Sequence, residues 1–192
     1  ELISFESGVL KTPAFRSLNP RALVPILTDG DVRVYESLAI LDYLEHYYTE
    51  VPLLPEEPAA RAVALMRIHE ANNLSVAAGE VVYYVRRTKP EDINREYLTV
   101  KRQTMLDELA LWEMYLAGCE YLCGTEFTMA DISFFPQLAY LVRLQLKLEG
   151  DFPNLHRYYE RLRKRPCFAS TWPPHWKEVA GLPILADPAE VE

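Results

Sequence analysis

Two short stretches of this chain carry residues whose types and spacing suit ligand chemistry: Val24-Pro25, and Glu36-Ser37 further on. The proline ring holds Val24 in an extended conformation, which leaves its N–H and C=O able to pair with an extended peptide laid alongside, as in strand addition. Glu36-Ser37 stands where a helix begins. A helix start offers unpaired N–H groups and the positive end of the helix dipole, so it receives a carboxylate well. A peptide-backbone site and a carboxylate site this close in sequence point to a small acidic peptide as ligand.

These residues need a scaffold, and the flanking sequence supplies one. Ile26-Leu27 begins a strand directly after Pro25, Asp29-Gly30 is a tight-turn pair, and Val32, Val34 and Tyr35 form a short β-rich run. The segment LAILDYLEHYY then continues with apolar residues on one helical face. Residues 7 to 28 contain Lys11, Arg16 and Arg21 and no carboxylate, a local positive arc in a chain of net charge −8. That acidity excludes a general nucleic-acid binder but leaves room for a small anionic ligand.

Residues 49–58, TEVPLLPEEP, read as a linker through their prolines. After them β signals nearly vanish. The spacing predicts helices over Ala59–Val85, started by Pro58, over Asp92–Leu116 with Leu98, Met105, Leu109, Trp112 and Leu116 in register, over Thr128–Leu146, and over Asn154–Lys164, stopped by Pro166. Thr128-Met129-Ala130-Asp131 is a capping box, with Phe127 and Ile132 placed as a hydrophobic staple. The plan is a small α/β domain over 1–48, a linker over 49–58, and an all-helical bundle over 59–192. Cys119, Cys123 and Cys167 form neither a CxxC pair nor a zinc spacing, and His46, His69, His156 and His175 are scattered, so no metal site is expected and the thiols read as reduced and structural. No apolar run reaches the length of a membrane span, and no signal peptide reads from Glu1.

In order and spacing, NP-x-x-x-VP, DG and ES-x-AI-x-x-YL resemble the glutathione-binding half of the glutathione transferases, and the two-domain plan resembles that family over essentially the whole chain. The resemblance implies a thioredoxin-like N-terminal domain followed by an all-α bundle. It implies that Val24, before a cis Pro25, pairs with the cysteine backbone of glutathione, that Glu36 and Ser37 hold the γ-glutamyl carboxylate, and that Lys11 holds the glycine carboxylate. Ala22, Leu23 and Leu38 depart from residues that several classes carry at these places. WPPHW in the tail, SFE-x-G near the start and LWE-x-YL at Leu111–Leu116 resemble the rho class. The implied activity is conjugation of glutathione to apolar electrophiles by a cytoplasmic homodimer, with glutathione as co-substrate and no metal, nucleic acid or membrane partner. The implied electrophile pocket involves Tyr83, Tyr84 and Arg87, with Trp172 and Trp176 from the tail.

By the same resemblance ELISFES, Glu1–Ser7, is the second strand of the thioredoxin-like domain. The first strand and helix, with the Ser, Tyr or Cys that activates the thiol, are then expected upstream. Two other functions fit the same residues: a non-catalytic binding module on this fold, and glutathione-dependent reduction through an upstream cysteine.

Overall fold

The computed structural model describes Ile3 and residues 7–186. The expected strand over Glu1–Ser7 lies outside the described residues, apart from Ile3 and Ser7. The chain divides into two compact units, 1–53 and 54–192; the boundary lies within the proline-bearing stretch 49–58.

In the first unit a 3-10 turn, Val9–Lys11, leads into α1, Pro13–Leu18. Thr12 caps α1 by accepting from the Phe15 N–H at 3.2 Å, and Pro13 occupies the first turn, where its missing N–H costs nothing. β1, Ile26–Asp29, and β2, Val32–Tyr35, then pair antiparallel, with Ile26 opposite Tyr35 and Asp29 opposite Val32. Gly30 takes the left-handed turn conformation, φ 54°, which a residue without Cβ adopts freely. α2 follows, Ser37–Tyr48. Its C-terminal end is tied to the hairpin turn: Asp29 Oδ2 accepts from the Tyr43 hydroxyl at 2.9 Å and from the Tyr48 hydroxyl.

The second unit is helical. α3, Pro58–Arg87, packs against α4, Arg95–Tyr115, and α5, Met129–Arg143; α6, Pro153–Leu162, packs against α4 and α5. Short helices α7, Pro166–Thr171, and α8, Pro174–Glu178, follow. Of the predicted stripe, Met105, Leu109, Trp112 and the C-cap residue Leu116 are in the core, while Leu98 is half-buried. Trp112 stacks on Phe134 of α5 with centroids 4.0 Å apart, and its indole N–H donates to Glu108 at 3.0 Å, which settles the one polar atom of a large apolar ring.

α4 starts later than the expected Asp92. Pro90–Asp92 forms a 3-10 turn, and Asn94 caps the helix by accepting from the Tyr97 N–H at 3.0 Å. α6 begins without a side-chain cap from its own N-cap residue, Phe152. Glu113 of α4 supplies one instead, accepting from the Asn154 and Leu155 N–H groups at 2.8 Å each.

The capping box on α5 is present and does more than cap. The Asp131 side chain is wholly buried. Its Oδ2 accepts from the Thr128 N–H at 2.8 Å and the Thr128 hydroxyl at 3.2 Å; its Oδ1 accepts from the Leu122 N–H and the Tyr158 hydroxyl, both at 3.1 Å. One carboxylate thus joins the loop before α5, the start of α5 and the core of α6. Burial pushes its carboxyl above the ordinary range, against the pull of these hydrogen bonds.

The tail is held by main-chain atoms. Arg143 donates to the carbonyls of Trp176 at 3.1 Å and Val179 at 2.7 Å. The Leu185 N–H donates to Leu144 at 2.9 Å, and Arg102 reaches the Leu185 and Ala186 carbonyls at 2.8 and 3.3 Å. A Cβ at Gly181 would stand 1.9 Å from the Arg143 carbonyl oxygen, so only glycine fits this crossing.

Candidate glutathione site and helical-unit cavities

The first site is built from residues 19–37. Asn19 is buried, 2 % exposed, and acts as a clamp. Its Nδ2 donates to the Leu23 carbonyl at 2.8 Å and its Oδ1 accepts from the Arg21 N–H at 3.0 Å. Its own carbonyl accepts from the Ala22 N–H at 2.9 Å. The loop is thereby closed on itself, with Ala22 in the left-handed region at φ 56°. It delivers Val24 to a cis peptide bond with Pro25. Val24 is 42 % exposed, and among the described residues its N–H and C=O make no hydrogen bond. This leaves a free main-chain donor and acceptor directly before β1, the groups that strand addition uses.

Across from this loop, α2 begins. Glu36 is the N-cap residue, with φ 73° and no side-chain cap hydrogen bond. A non-glycine residue there is strained and persists only where its surroundings fix it. Ser37 is the first helical residue and is exposed. It opens a helix start whose first N–H groups no preceding turn can satisfy, the arrangement that receives a carboxylate. Arg21 Nε lies 3.8 Å from Glu36 Oε1, so the Val24 loop and the α2 start are neighbours. Both partners are mostly exposed, so this pair marks position more than it stabilises. Lys11 is exposed in the 3-10 turn before α1. Arg33 donates to the Ser17 carbonyl at 3.1 Å, tying β2 to α1.

Asn19 carries no chemistry and escapes a search for ligand-binding residue types. The available signal was the Asn19-Pro20 dipeptide, a turn initiator five positions before a second proline. Asp29 likewise reads as a turn residue only. The two tyrosines that hydrogen-bond to it hold its carboxyl below the ordinary range.

The N-terminal domain model of glutathione S-transferases matches residues 1–47, and the C-terminal domain model matches residues 76–166. Glutathione S-transferase A of Pleuronectes platessa is 34 % identical over 182 residues, covering 93 % of this chain and 80 % of the relative. The chain belongs to the glutathione S-transferase family. A glutathione S-transferase from the Antarctic clam Laternula elliptica is 39 % identical, with a TM-score of 0.89 over 97 % of this chain and 85 % of the clam protein. A glutathione transferase from Burkholderia graminis, solved with two glutathione molecules bound per subunit, is 25 % identical with a TM-score of 0.79, covering 88 % of this chain and 75 % of that one. Family membership makes this chain an enzyme of glutathione transfer with a thioredoxin-like and a helical domain.

The five aromatic and cationic residues expected in the electrophile pocket line two different cavities of the helical unit. Tyr83, Tyr84 and Arg87 line a cleft of about 500 Å³ along the C-terminal half of α3. There the Tyr84 hydroxyl accepts from the Asn94 N–H at 2.8 Å, its ring leans on Tyr97 at 4.8 Å, and the Arg87 guanidinium lies 5.1 Å from the Tyr83 ring centre. Trp172 and Trp176 meet edge to face, 5.4 Å apart, in a cavity of about 160 Å³ with Phe135 and Phe168. Tyr140 stacks on Trp176 at 6.0 Å and lines a third cavity.

Cys119, Cys123 and Cys167 are all free. Burial pushes the Cys123 thiol up, the opposite of what a nucleophile needs. Among the described residues no three His, Cys, Asp or Glu side chains gather as metal ligands, and no helix is long and apolar enough to cross a membrane.

Proposed function

We propose that residues 11–37 bind the tripeptide of the transfer reaction in three parts. The Val24 N–H and C=O, presented before the cis Pro25, pair with the cysteinyl backbone. Glu36, Ser37 and the free N–H groups of α2 hold the γ-glutamyl end, and Lys11 faces the glycine carboxylate. The observation that carries this reading is the juxtaposition of an unpaired extended main-chain donor and acceptor with an open helix start, brought together by the Asn19 loop. Binding of this kind fixes the thiol against its electrophile and converts a bimolecular encounter into an oriented one. The group that ionises the thiol, which at its ordinary pKa near 8.5 is mostly protonated at neutral pH, is assigned to none of residues 7–48.

The electrophile is an apolar molecule, taken by the cleft of Tyr83, Tyr84 and Arg87, with Trp172 and Trp176 serving as a second aromatic surface. The plaice and clam relatives support a rho-class member, and family habit supports a cytoplasmic homodimer.

The test is Ser37→Ala. Loss of one hydrogen bond to a bound carboxylate, about 1–3 kcal/mol, weakens glutathione roughly 5–150-fold by titration calorimetry. Unchanged affinity overturns the assignment. Turnover of 1-chloro-2,4-dinitrobenzene separates conjugation from the scaffold reading.

A further inference from the structure

A cavity of about 220 Å³ lies between α3 and α5, with Leu74, Ala78, Val82 and Leu141 as its apolar wall. It shares Ser75, Gly79 and Tyr83 with the larger cleft that holds Tyr84 and Arg87, so the two cavities adjoin. Its size is below that of a drug-sized site and suits one or two fused rings. Gly79 faces the Tyr83 ring, and a Cβ there would make only ordinary contact, 3.5 Å from two ring carbons.

Four polar side chains interrupt the apolar lining, Ser75, Tyr83, Gln137 and Tyr140. Gln137 of α5 lines the cavity. Its Nε2 donates to the Ser133 carbonyl, one turn back, at 3.2 Å, which fixes the sense of the amide and leaves Oε1 as the acceptor. That Oε1 is buried and has no hydrogen-bond partner. The hydroxyls of Ser75, Tyr83 and Tyr140, which also line the cavity, do not donate to it. A buried acceptor without a donor is costly, and a site built around one discriminates strongly between ligands that do and do not supply the missing hydrogen. The last torsion of a glutamine side chain is broad, so the amide can turn Oε1 toward an incoming donor at the expense of its hydrogen bond to Ser133.

We propose that this cavity is a subsite for a planar apolar ligand carrying one N–H or O–H donor, accepted by Gln137 Oε1. Apolar rings fill the Leu74, Val82 and Leu141 wall while the donor meets the amide oxygen. A ring system without a donor enters the same space but leaves Oε1 unpaired and displaces any water that served it. Gln137 is thus a specificity-determining residue. The proposal deepens the electrophile reading, because Tyr83 belongs to both cavities.

The test measures binding of 1-naphthol and naphthalene to the full chain and to Gln137→Leu by titration calorimetry. Leucine keeps an apolar branched shape without an acceptor, and it removes an orphaned polar atom, so the variant folds at least as well; thermal unfolding checks this. Relative to naphthalene, 1-naphthol loses about tenfold in affinity on going from the wild type to Gln137→Leu. An unchanged ratio between the two probes overturns the proposal. Competition of 1-naphthol against 1-chloro-2,4-dinitrobenzene reads the electrophile assignment separately. A Gln137-dependent naphthol preference without competition keeps the subsite and removes Tyr83 from the electrophile site, whereas competition without Gln137 dependence does the reverse.

Discussion

Replacing Asp131 by alanine removes four hydrogen bonds at once, and the structure allows the loss to be sized. The Leu122 N–H, the Thr128 N–H and the Tyr158 hydroxyl all point at this carboxylate from buried positions. Each buried donor left unpaired costs about 1–3 kcal/mol. Relief of the carboxylate's own burial offsets part of this, so the lower end applies and the net loss is about 3 kcal/mol. In a protein of this size each kcal/mol moves the melting temperature by about 2–4 °C, giving a fall of roughly 6–12 °C. Circular dichroism melts and urea unfolding of Asp131→Ala provide the measurement. Tyr158→Phe removes one donor and leaves Asp131 with three, for a loss of about 1 kcal/mol. The double variant is less destabilised than the two singles together, because the tyrosine hydroxyl is no longer there to be orphaned. A loss below about 1 kcal/mol in Asp131→Ala, or strict additivity in the cycle, refutes the view that this carboxylate joins three segments rather than capping one helix.

The other expectations concern the N-terminal unit. Asn19→Ala opens the loop before Val24 and costs about 1–3 kcal/mol of stability, with weaker glutathione binding by calorimetry. Asn19→Asp keeps the acceptor for the Arg21 N–H and recovers part of both, and a full-affinity alanine variant would count against the clamp. Tyr43 keeps its proton up to about pH 12, chiefly through its hydrogen bond to Asp29, whereas the unfolded chain releases it near 10. The folded state therefore binds more protons in that interval, and the contribution present below pH 10 is lost as pH rises toward 12. Tyr43→Phe flattens this alkaline decline in urea midpoints, and an identical decline in the variant would disprove the link.

The elements easiest to read were those with both a period and punctuation. The hairpin followed from Asp29-Gly30 between β-rich runs, α3 from Pro58 ahead of an apolar stripe, and α5 from its capping box. α1 was missed because six residues are too few to show a period, although Thr12-Pro13 carried the start signal in its cap and its proline. The start of α4 was placed early because Asp92 resembles a cap, while the side chain that accepts from the first turn belongs to Asn94. Gln137 was invisible for a different reason. Its spacing along α5 fits a helix face, and only the packing of α3 against α5 shows that one of its amide atoms has been left without a partner. The cap that Glu113 lends to α6 is likewise unreadable along the chain, since donor and acceptor lie on elements that meet only on folding.

The anchoring of the tail has a bearing on how freely this segment can change. Arg143 and Arg102 grip carbonyl oxygens, and Leu185 is held through its N–H. These are atoms that every residue type possesses, save the N–H that proline lacks. Between its side-chain anchors, Trp176 against Tyr140 and the buried Leu185 and Ala186, the course of the chain is therefore largely decoupled from the identity of the side chains it carries. Drift in sequence, or deliberate redesign, can alter what the stretch between these anchors displays without rerouting it, so long as the two arginines, Trp176 and the buried Leu185 and Ala186 remain and position 181 stays glycine.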